Sequence, residues 1–509
     1  MSYFRTIGRS TLVATLMLTA QSACMGADPA PPVAGADRAT PDAGSGTACV
    51  GPSCDAGPEV VEPLPEGCAS PDDPGKAPSR CVVDGFGVFV SASASAEGNG
   101  TRASPFKTLA RALAGSPRRL FVCAGRYEGV AIAGSVSVHG GFSCSDWSHG
   151  PTNRVEISAT REAPALTLKG AKTPVFVSDV HLVGQSAPGK GKSSVAAFVA
   201  SSGKVTFTRV KLEARAGGEA EEGKMGHFTY SPASSLDGKN ADEGGTPYPM
   251  ISDDTEGAGG DSGNCPGGGR SIGGAGGALG LLGQNGAPPG SGGAGGIGPC
   301  TSFPPTGGLG AYGSPGRSGE PGAGATVVGT LTEEGWVGKA GTRGQHGSPG
   351  GGGGGGYGTA GAGGGGGAGG CGGEGGGGGS AGGSSIALLI LDAEVVLVAS
   401  ELMAAEARPG GLGGTGQKGQ EGLYGPVGGN RGRGSGRACD GGSGGMGGGG
   451  GPGGGGAGGV SAGIVWSGSR EPLHGSDTRI ARSREPSAPG GLGATNGVQG
   501  MNADVLRLP

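Results

Sequence analysis

The sequence predicts an all-β solenoid of strand–bend–strand repeats, interrupted by long Gly-rich low-complexity insertions that are disordered or polyproline-II-like. Three observations predict it. Apolar side chains alternate in short runs, shift by one residue at a corner, then alternate again. Residues 165–183 and 195–213 align without a gap at an offset of 30, within the period range of stacked repeats. Between such runs the composition collapses toward glycine: 127 of 509 residues are Gly and 36 are Pro, against 4% aromatic and 15% charged. This composition cannot fill the several cores that the length would otherwise suggest. A net charge of −4 argues against a highly charged disordered chain and against a basic nucleic-acid binder.

The N-terminus carries Arg5 and Arg9 without an acid, followed by the uncharged apolar stretch Thr11–Ala20. A cationic start and a short apolar core predict a secretory signal over residues 1–23, too short to span a membrane. The stretch runs into Gln21-Ser22-Ala23-Cys24, which resembles a bacterial lipobox, with Gln21 where Leu is usual. That resemblance implies lipidation of Cys24. Met25, in place of a retention-signal Asp, directs the anchor to the outer membrane. Ordinary cleavage and secretion is the alternative. The ten remaining Cys form an even set, expected as disulfides in an exported chain. No C-x-x-C occurs and no His stands at finger spacing, so no metal site is expected. Residues 24–79 are rich in Pro, Ala and Gly and predict an extended tether. Cys49 and Cys54 would close a small loop within it.

From residue 80 the composition changes. Thr108–Ala114 places Leu109 and Leu113 on one helical face. Leu120–Val122, Val130–Ile132 and Ser135–Phe142 have strand character. Asn99-Gly100-Thr101, Pro105-Phe106-Lys107-Thr108-Leu109 and Ala112 resemble the opening of secreted right-handed parallel β-helix proteins of pectin-lyase-like fold. The run from Phe121 through Phe142 to Asp146-Trp147 resembles its continuation in lipoproteins of myxobacteria and their relatives. The resemblance covers residues 80–213 and implies a fold, with no activity attached.

The repeat supports the same architecture. Val175 meets Val205, Val177 meets Phe207, Val180 meets Val210 and Leu182 meets Leu212. Residues 386–404 form a third copy, with Val395, Leu397, Ser400 and Leu402 at the corresponding places. A weaker copy spans 460–482, anchored by Leu473 and Ile480. The expected parts are the N-terminal β-helix at 80–213, a Gly-rich insertion at 214–383, a rung at 384–404, a second insertion at 405–459, and a last rung with tail at 460–509. Loop closure grows only logarithmically with length, so such insertions need not break a stack. Cys123 and Cys144 lie about one rung apart and are a candidate disulfide.

Several motifs point to chemistry weakly. Gly184 to Gly191 approaches a phosphate-binding loop but lacks the hydroxyl at position 191. The insertions lack the regular Asp of calcium-binding nonapeptides, and Asp253, Asp254 and Glu256 suit a solvated loop. Collagen-like triplets at 338–350 and 416–428 are too short for a triple helix and predict irregular or polyproline-II-like loop. The GGxGGx texture is similar in composition to mycobacterial PGRS repeats. The outward positions are expected to be Phe176/Thr206, Ser178/Thr208, Asp179/Arg209, His181/Lys211 and Val183/Glu213, with Asp179 and Arg209 forming a surface ion pair between rungs. Phe176, Trp147 and Trp466 are candidate sugar-stacking aromatics or packing residues. No catalytic residue, cofactor or metal ligand is assigned. The expectation is a non-enzymatic cell-surface lipoprotein with a structural, adhesive or matrix-contact role. Its partners would be the outer membrane through the lipid, and polysaccharide or other surface proteins, without nucleic acid. The alternative is a carbohydrate-binding or polysaccharide-cleaving β-helix, a lyase or hydrolase.

Overall fold

The structure, a computed structural model, describes residues 64–160, 163–186, 188–241, 256–300, 308–359, 361–426 and 437–509. These residues belong to the unit Pro63–Pro509. It is all-β, with strands in parallel sheets and a few helices of three to five residues.

Three parallel sheets are visited in rotation. The second sheet contains Val130–Ala133, Leu166–Lys169, Ser194–Ala200, Ser385–Leu391, Ser461–Ser467 and Asn502–Arg507. From each of its middle strands the chain passes to the first sheet, which includes Ser137–Phe142, Val175–Ser178, Lys204–Thr208, Glu394–Val398 and Leu473–His474. It then enters the third sheet, with Val155–Ser158, Val180–Val183, Lys211–Ala214, Glu401–Ala404 and Arg479–Ala481. The ladders pair Val175 with Val205, Val177 with Phe207 and Leu182 with Leu212. They continue to Val395, Leu397 and Leu402, the register in which the copies align by sequence. The one-residue shift at the corner is a left-handed residue: Asp179, Arg209 and Ala399, with φ of 55°, 54° and 47°, lie beyond paired strand ends.

The inward rows form one apolar core, in which Leu168, Val199, Phe207, Leu212, Ile390 and Leu397 are buried. Each such side chain contributes about 1.5–3 kcal/mol by leaving water. The second sheet is apolar on its other face too. Phe198, Leu389 and Val465 lie under the hairpin Gly329–Thr332/Gly335–Gly338, which presents Leu331 and Trp336. Burial on both faces explains why SVAAFVA and SIALLIL are nearly continuous apolar runs. At one end of the core sits the helix Leu109–Leu113. Thr108 caps it by accepting the Arg111 N–H at 3.2 Å, and Leu109 and Ala112 are its buried residues.

All three long excursions leave at the same corner, between the third sheet and the second: 215–384, 405–460 and 482–501. A buried serine ladder marks it. Ser194, Ser385 and Ser461 are paired across strands. Their hydroxyls accept the N–H groups of Arg215, Ala405 and Ser483, the outgoing residues of successive turns. The exit geometry is therefore repeated by hydrogen bonds.

The described parts of the Gly-rich excursions are hydrogen-bonded to one another, in place of the disorder that their composition allowed. Within 339–359 every third residue shares a neighbour. Gly341, Gly344, Gly347, Gly350, Gly353 and Gly356 donate to Gly379, Gly376, Gly373, Gly370, Gly367 and Gly364. Thr342, Gln345, Ser348, Gly351 and Gly354 donate to residues of 311–323, and Gly352 and Gly355 to Ala287 and Gln284. Bonds between segments with a period of three match a helix of three residues per turn.

The seven-Gly run 350–356 follows from this packing. A Cβ on Gly353 would lie 2.0 Å from the Gly442 carbonyl oxygen, on Gly354 2.0 Å from that of Ala294, and on Gly355 1.9 Å from that of Ala275. Three successive residues thus face three different segments, and none has room for a side chain. Where a segment lies at the edge, one face needs glycine, and Gly310, Gly313, Gly316, Gly319 and Gly322 recur at every third place. The described parts of the collagen-like triplets, 338–350 and 416–426, are such edge segments.

Two expectations are corrected. Residues 64–79, expected as tether, are tied down by a Cys68–Cys81 disulfide and by Asp73, because Phe86, Phe89 and Trp147 give them an apolar surface to pack on. Leu473 is 59% exposed and pairs with Val396, so the last turn is anchored by Ile480, which pairs with Leu402.

Gly353→Ala is expected to destabilise the lobe by more than about 3 kcal/mol, since backbone must move to admit the methyl. Gly298→Ala, with nothing within 4 Å, is expected to change stability by less than about 0.5 kcal/mol. Urea titrations of the two variants check the contrast.

Candidate functional site

Three features of the described residues carry concentrated polar chemistry. The first lies where the 64–83 segment docks on the first sheet. Arg209, at its corner, donates to both oxygens of Asp179 (2.8 and 2.7 Å) and to both oxygens of Asp73 (2.9 and 2.7 Å). The guanidinium fork thus joins the stack to the segment that covers it. His149 Nε2 lies 3.3 Å from Asp179 and Lys76 Nζ lies 3.4 Å from Asp73. Burial opposes ionisation of Asp73, but the hydrogen bonds and charge of Arg209, aided by Lys76, hold its carboxyl below the usual range. Burial acts likewise on Asp179, and His149 and Arg209 override it. The Arg209 guanidinium is held yet more firmly protonated by the two carboxylates.

Beneath this cluster His139 is fully buried. Its Nδ1 is 3.0 Å from Ser178 Oγ, and its Nε2 has no hydrogen-bond partner. Burial, with the charge of Arg119 adding to it, pushes its pKa down to about 3. The Asp73 and Asp179 charges act the other way, and Arg209 opposes them.

The second feature is a charged row on the outer face of the third sheet. Arg126, Glu156, His181, Lys211, Glu401 and Arg479 stand in register across six strands. Glu213 beside this row is approached by Arg215 (2.7 Å), Lys211 (3.1 Å) and His181 (3.2 Å). Burial would raise the Glu213 carboxyl, and the cations around it hold it low. His181 is shifted down, first by burial and then by Lys211, with Glu213 opposing. Each carboxylate here is matched to a cation, an arrangement that pins neighbouring strands at about 0–1 kcal/mol per exposed pair.

The third feature is a pair of clefts of about 570 Å³ each. One lies between Asp84, Ser91, Arg102 and Asp146. Its carboxylates are occupied locally: Asp84 accepts the Arg102 N–H at 2.7 Å, and Asp146 accepts from Ser148. Hydrogen bonds from Ser143 and Ser148 keep Asp146 low. The other cleft lies in the glycine lobe.

The residues singled out by sequence fall as follows. Cys123 and Cys144 are joined, with Cα atoms 5.0 Å apart. Cys24, Cys49, Cys54, Asp253 and Asp254 lie outside the described residues. Asp179 and Arg209 pair, but half-buried and with Asp73 as a third member, not as a lone surface pair. Ser178 and Val183, expected to face outward, are buried, and Ser178 meets His139. Trp147 is buried edge-on to Phe89, ring centroids 4.6 Å apart, in the cluster that receives the 64–83 segment. Trp466 is buried, with the Arg507 guanidinium 5.0 Å above its ring. Neither presents a face to a sugar. Gln185, within the P-loop-like stretch, accepts the Val195 N–H at 2.9 Å, a structural corner bond. Sequence reasoning missed Asp73, which sits in a Pro-rich stretch with no apolar period. Cys265, Cys371, Cys300 and Cys439, expected among the disulfide-forming set without assigned partners, pair as Cys265–Cys371 and Cys300–Cys439, spanning 106 and 139 residues.

No protein-family model, curated protein or solved structure matches the sequence. Among the described residues no helix is long and apolar enough to cross a membrane, and no group of three His, Cys, Asp or Glu is placed to hold a metal ion.

The buried His139 has a pH consequence. Its folded pKa lies below that of the unfolded chain, so the unfolded state binds the extra proton. Its stabilising effect is complete above about pH 6.5 and is lost as pH falls toward 3. Between pH 7 and pH 5 wild type is expected to lose about 2 kcal/mol, and His139→Phe much less, by urea denaturation at both pH values. The Asp73 and Asp179 contributions are lost only below about pH 4. Arg209→Met is expected to cost about 2–3 kcal/mol at pH 7, because it leaves two half-buried carboxylates without their cation. Hydrogen exchange of residues 64–83 reports the loosening.

Proposed function

We propose that this chain is a non-enzymatic cell-surface lipoprotein with a structural or adhesive role. Its sheets wind as one right-handed parallel β-helix that serves as a stiff base. Its Gly-rich excursions form a polyproline-II-type bundle that projects from the base as the contacting part. The observation that carries this reading is the exit of all three excursions at one corner, under the Ser194–Ser385–Ser461 ladder, into a mutually bonded lobe. A chain that devotes more residues to such a lobe than to the base gains surface, since Gly-lined interior segments carry no side-chain chemistry. Rotation through three sheets supports the β-helix, and parallel crossovers are right-handed in nearly all known cases. Cys24 would hold the base at the outer membrane. Acyl chains at about 0.8 kcal/mol per buried CH₂ make such an anchor firm when two or more are attached.

A carbohydrate-binding role is the second reading. Tyr312 and Tyr424 are each 79% exposed on edge segments of the lobe, where their rings can stack on sugar faces.

The test is expression of the full chain in a Gram-negative host. The mature N-terminus is expected to carry a lipid mass on Cys24, and Cys24→Ala to release the protein from the membrane fraction. External protease is expected to reach the lobe's tip loops on intact cells. A protein that lacks the lipid and stays in the periplasm contradicts the reading, as does formation of unsaturated products from uronate polysaccharides at catalytic rates.

A further inference from the structure

The bonding pattern of the lobe marks out a row of unpaired main-chain groups that ends in a cleft. Along 361–383, residues spaced by three share the same neighbours. Gly363 and Gly366 donate to Gly277 and Gly274. On the facing segment 339–359, the carbonyls of Gly356 and Gly353 accept from Gly277 and Gly274. Segment 270–278 therefore bonds to both walls through the N–H and C=O of one residue in three. It leaves this position at Ser271, whose Oγ accepts the Gly369 N–H at 2.8 Å. The two walls run on without it. The N–H groups of Gly372 and Gly378 and the carbonyls of Gly341, Gly344 and Gly347 have no hydrogen-bond partner among the described residues. At Gly375, midway, a side chain takes the place of 270–278 on the N–H, and another takes on the carbonyl the place that Gly257 and Gly260 hold at Gly363 and Gly366. His346 Nδ1 accepts its N–H at 3.4 Å, and Arg343 Nε donates to its carbonyl at 3.1 Å. A cleft of about 570 Å³ opens at the Gly378 end of this row, lined among others by Gly377, Gly378, Lys224, Ala340 and Arg343, while Gly344, Gly347, Gly372 and Gly375 are buried.

We propose that this groove binds an extended peptide with glycine at every third position, in the register that the chain's own 270–278 segment takes further along the same walls. Unpaired main-chain groups at a regular spacing are a template for another chain, as at the edge of a sheet. Here the spacing is three residues. From Gly372 to Gly378 the row covers about 19 Å at the rise of a polyproline-II-type helix, and a peptide in that conformation presents main-chain groups at the same spacing. The glycine requirement is set by the occupied part of the groove. A Cβ on Gly273 would lie 1.9 Å from the Gly366 oxygen, and one on Gly276 1.8 Å from the Gly363 oxygen. The occupant replaces His346 at Gly375, and Arg343, which lines the cleft and is ion-paired with Glu374, moves aside to admit it.

The test measures fluorescence anisotropy of labelled Lys-(Gly-Gly-Ala)4-Lys, whose triplets copy Gly273–Ala278, against the full-length protein. Saturable binding is expected. It should weaken at least tenfold when the first Gly of each triplet is Val. It should weaken similarly with Ala340→Trp, which fills the cleft from an exposed position. The double variant Arg343→Ala, His346→Ala frees the Gly375 groups and is expected to bind more tightly. Absence of binding to both wild type and the double variant overturns the proposal. So does binding that tolerates the Val peptide or Ala340→Trp. Self-association of the protein alone, abolished by Ala340→Trp, would also overturn it, assigning the groove to a second copy of the chain.

Discussion

The glycine lobe depends on how closely its chains approach. A carbonyl oxygen sits about 2 Å from where a Cβ would be at most interior positions, Gly353 and Gly354 among them. At that separation main-chain N–H groups reach neighbouring carbonyls directly, and the usual apolar core is unnecessary. Apolar burial contributes little there, since Gly has no side chain to bury. The cost is entropic, because ordering Gly loses more freedom than ordering any other residue. The lobe offsets it with bonds in several directions from each segment and with two long-range disulfides, Cys265–Cys371 and Cys300–Cys439. The β-stack obeys the opposite rule, with bonds along flat ladders and apolar side chains filling the inside.

The two regimes join at one corner. Because Ser194, Ser385 and Ser461 repeat the same hydroxyl-to-backbone bond, successive excursions start parallel and one turn apart. A register fixed in the sheets is thereby handed to the lobe, where chain spacing has no tolerance for side chains. The covering segment 64–83 is held to the stack by charge and aromatic packing instead. Arg209 bridges Asp179 of the stack and Asp73 of the covering segment, over Phe89, Phe121, Phe142 and Trp147.

Much of the stack was legible in the sequence. The offset of 30 between residues 165–183 and 195–213, and the distant copy at 386–404, gave the strand pairs Val175–Val205–Val395 and Leu182–Leu212–Leu402. Period-two alternation survives because one face of those strands is always inside. The outer faces were less legible. Ser178, Val183 and Trp147 are buried, Ser178 against His139 and Trp147 in the cluster that receives the 64–83 segment, and polarity alone could not foretell it. The lobe's order was hidden for a different reason. Its signal is neither hydrophobicity nor charge but the density of glycine: one in three at edges such as 310–322, every residue at 350–356. That gradient follows how many sides of a segment are enclosed. Of the candidate site, Asp179 and Arg209 were visible as a pair from the repeat, whereas Asp73 and the buried His139 were not.

The account rests most on the glycine segments being bonded into a lattice. Amide hydrogen exchange of residues 339–383 in the full-length protein, followed by mass spectrometry, tests that most directly. The account predicts slow exchange at Gly350, Gly353, Gly356 and Gly376, within a factor of about ten of the strand Ser385–Leu391. Exchange of the whole stretch at the rate of an unstructured glycine peptide, beside a protected strand, would contradict it.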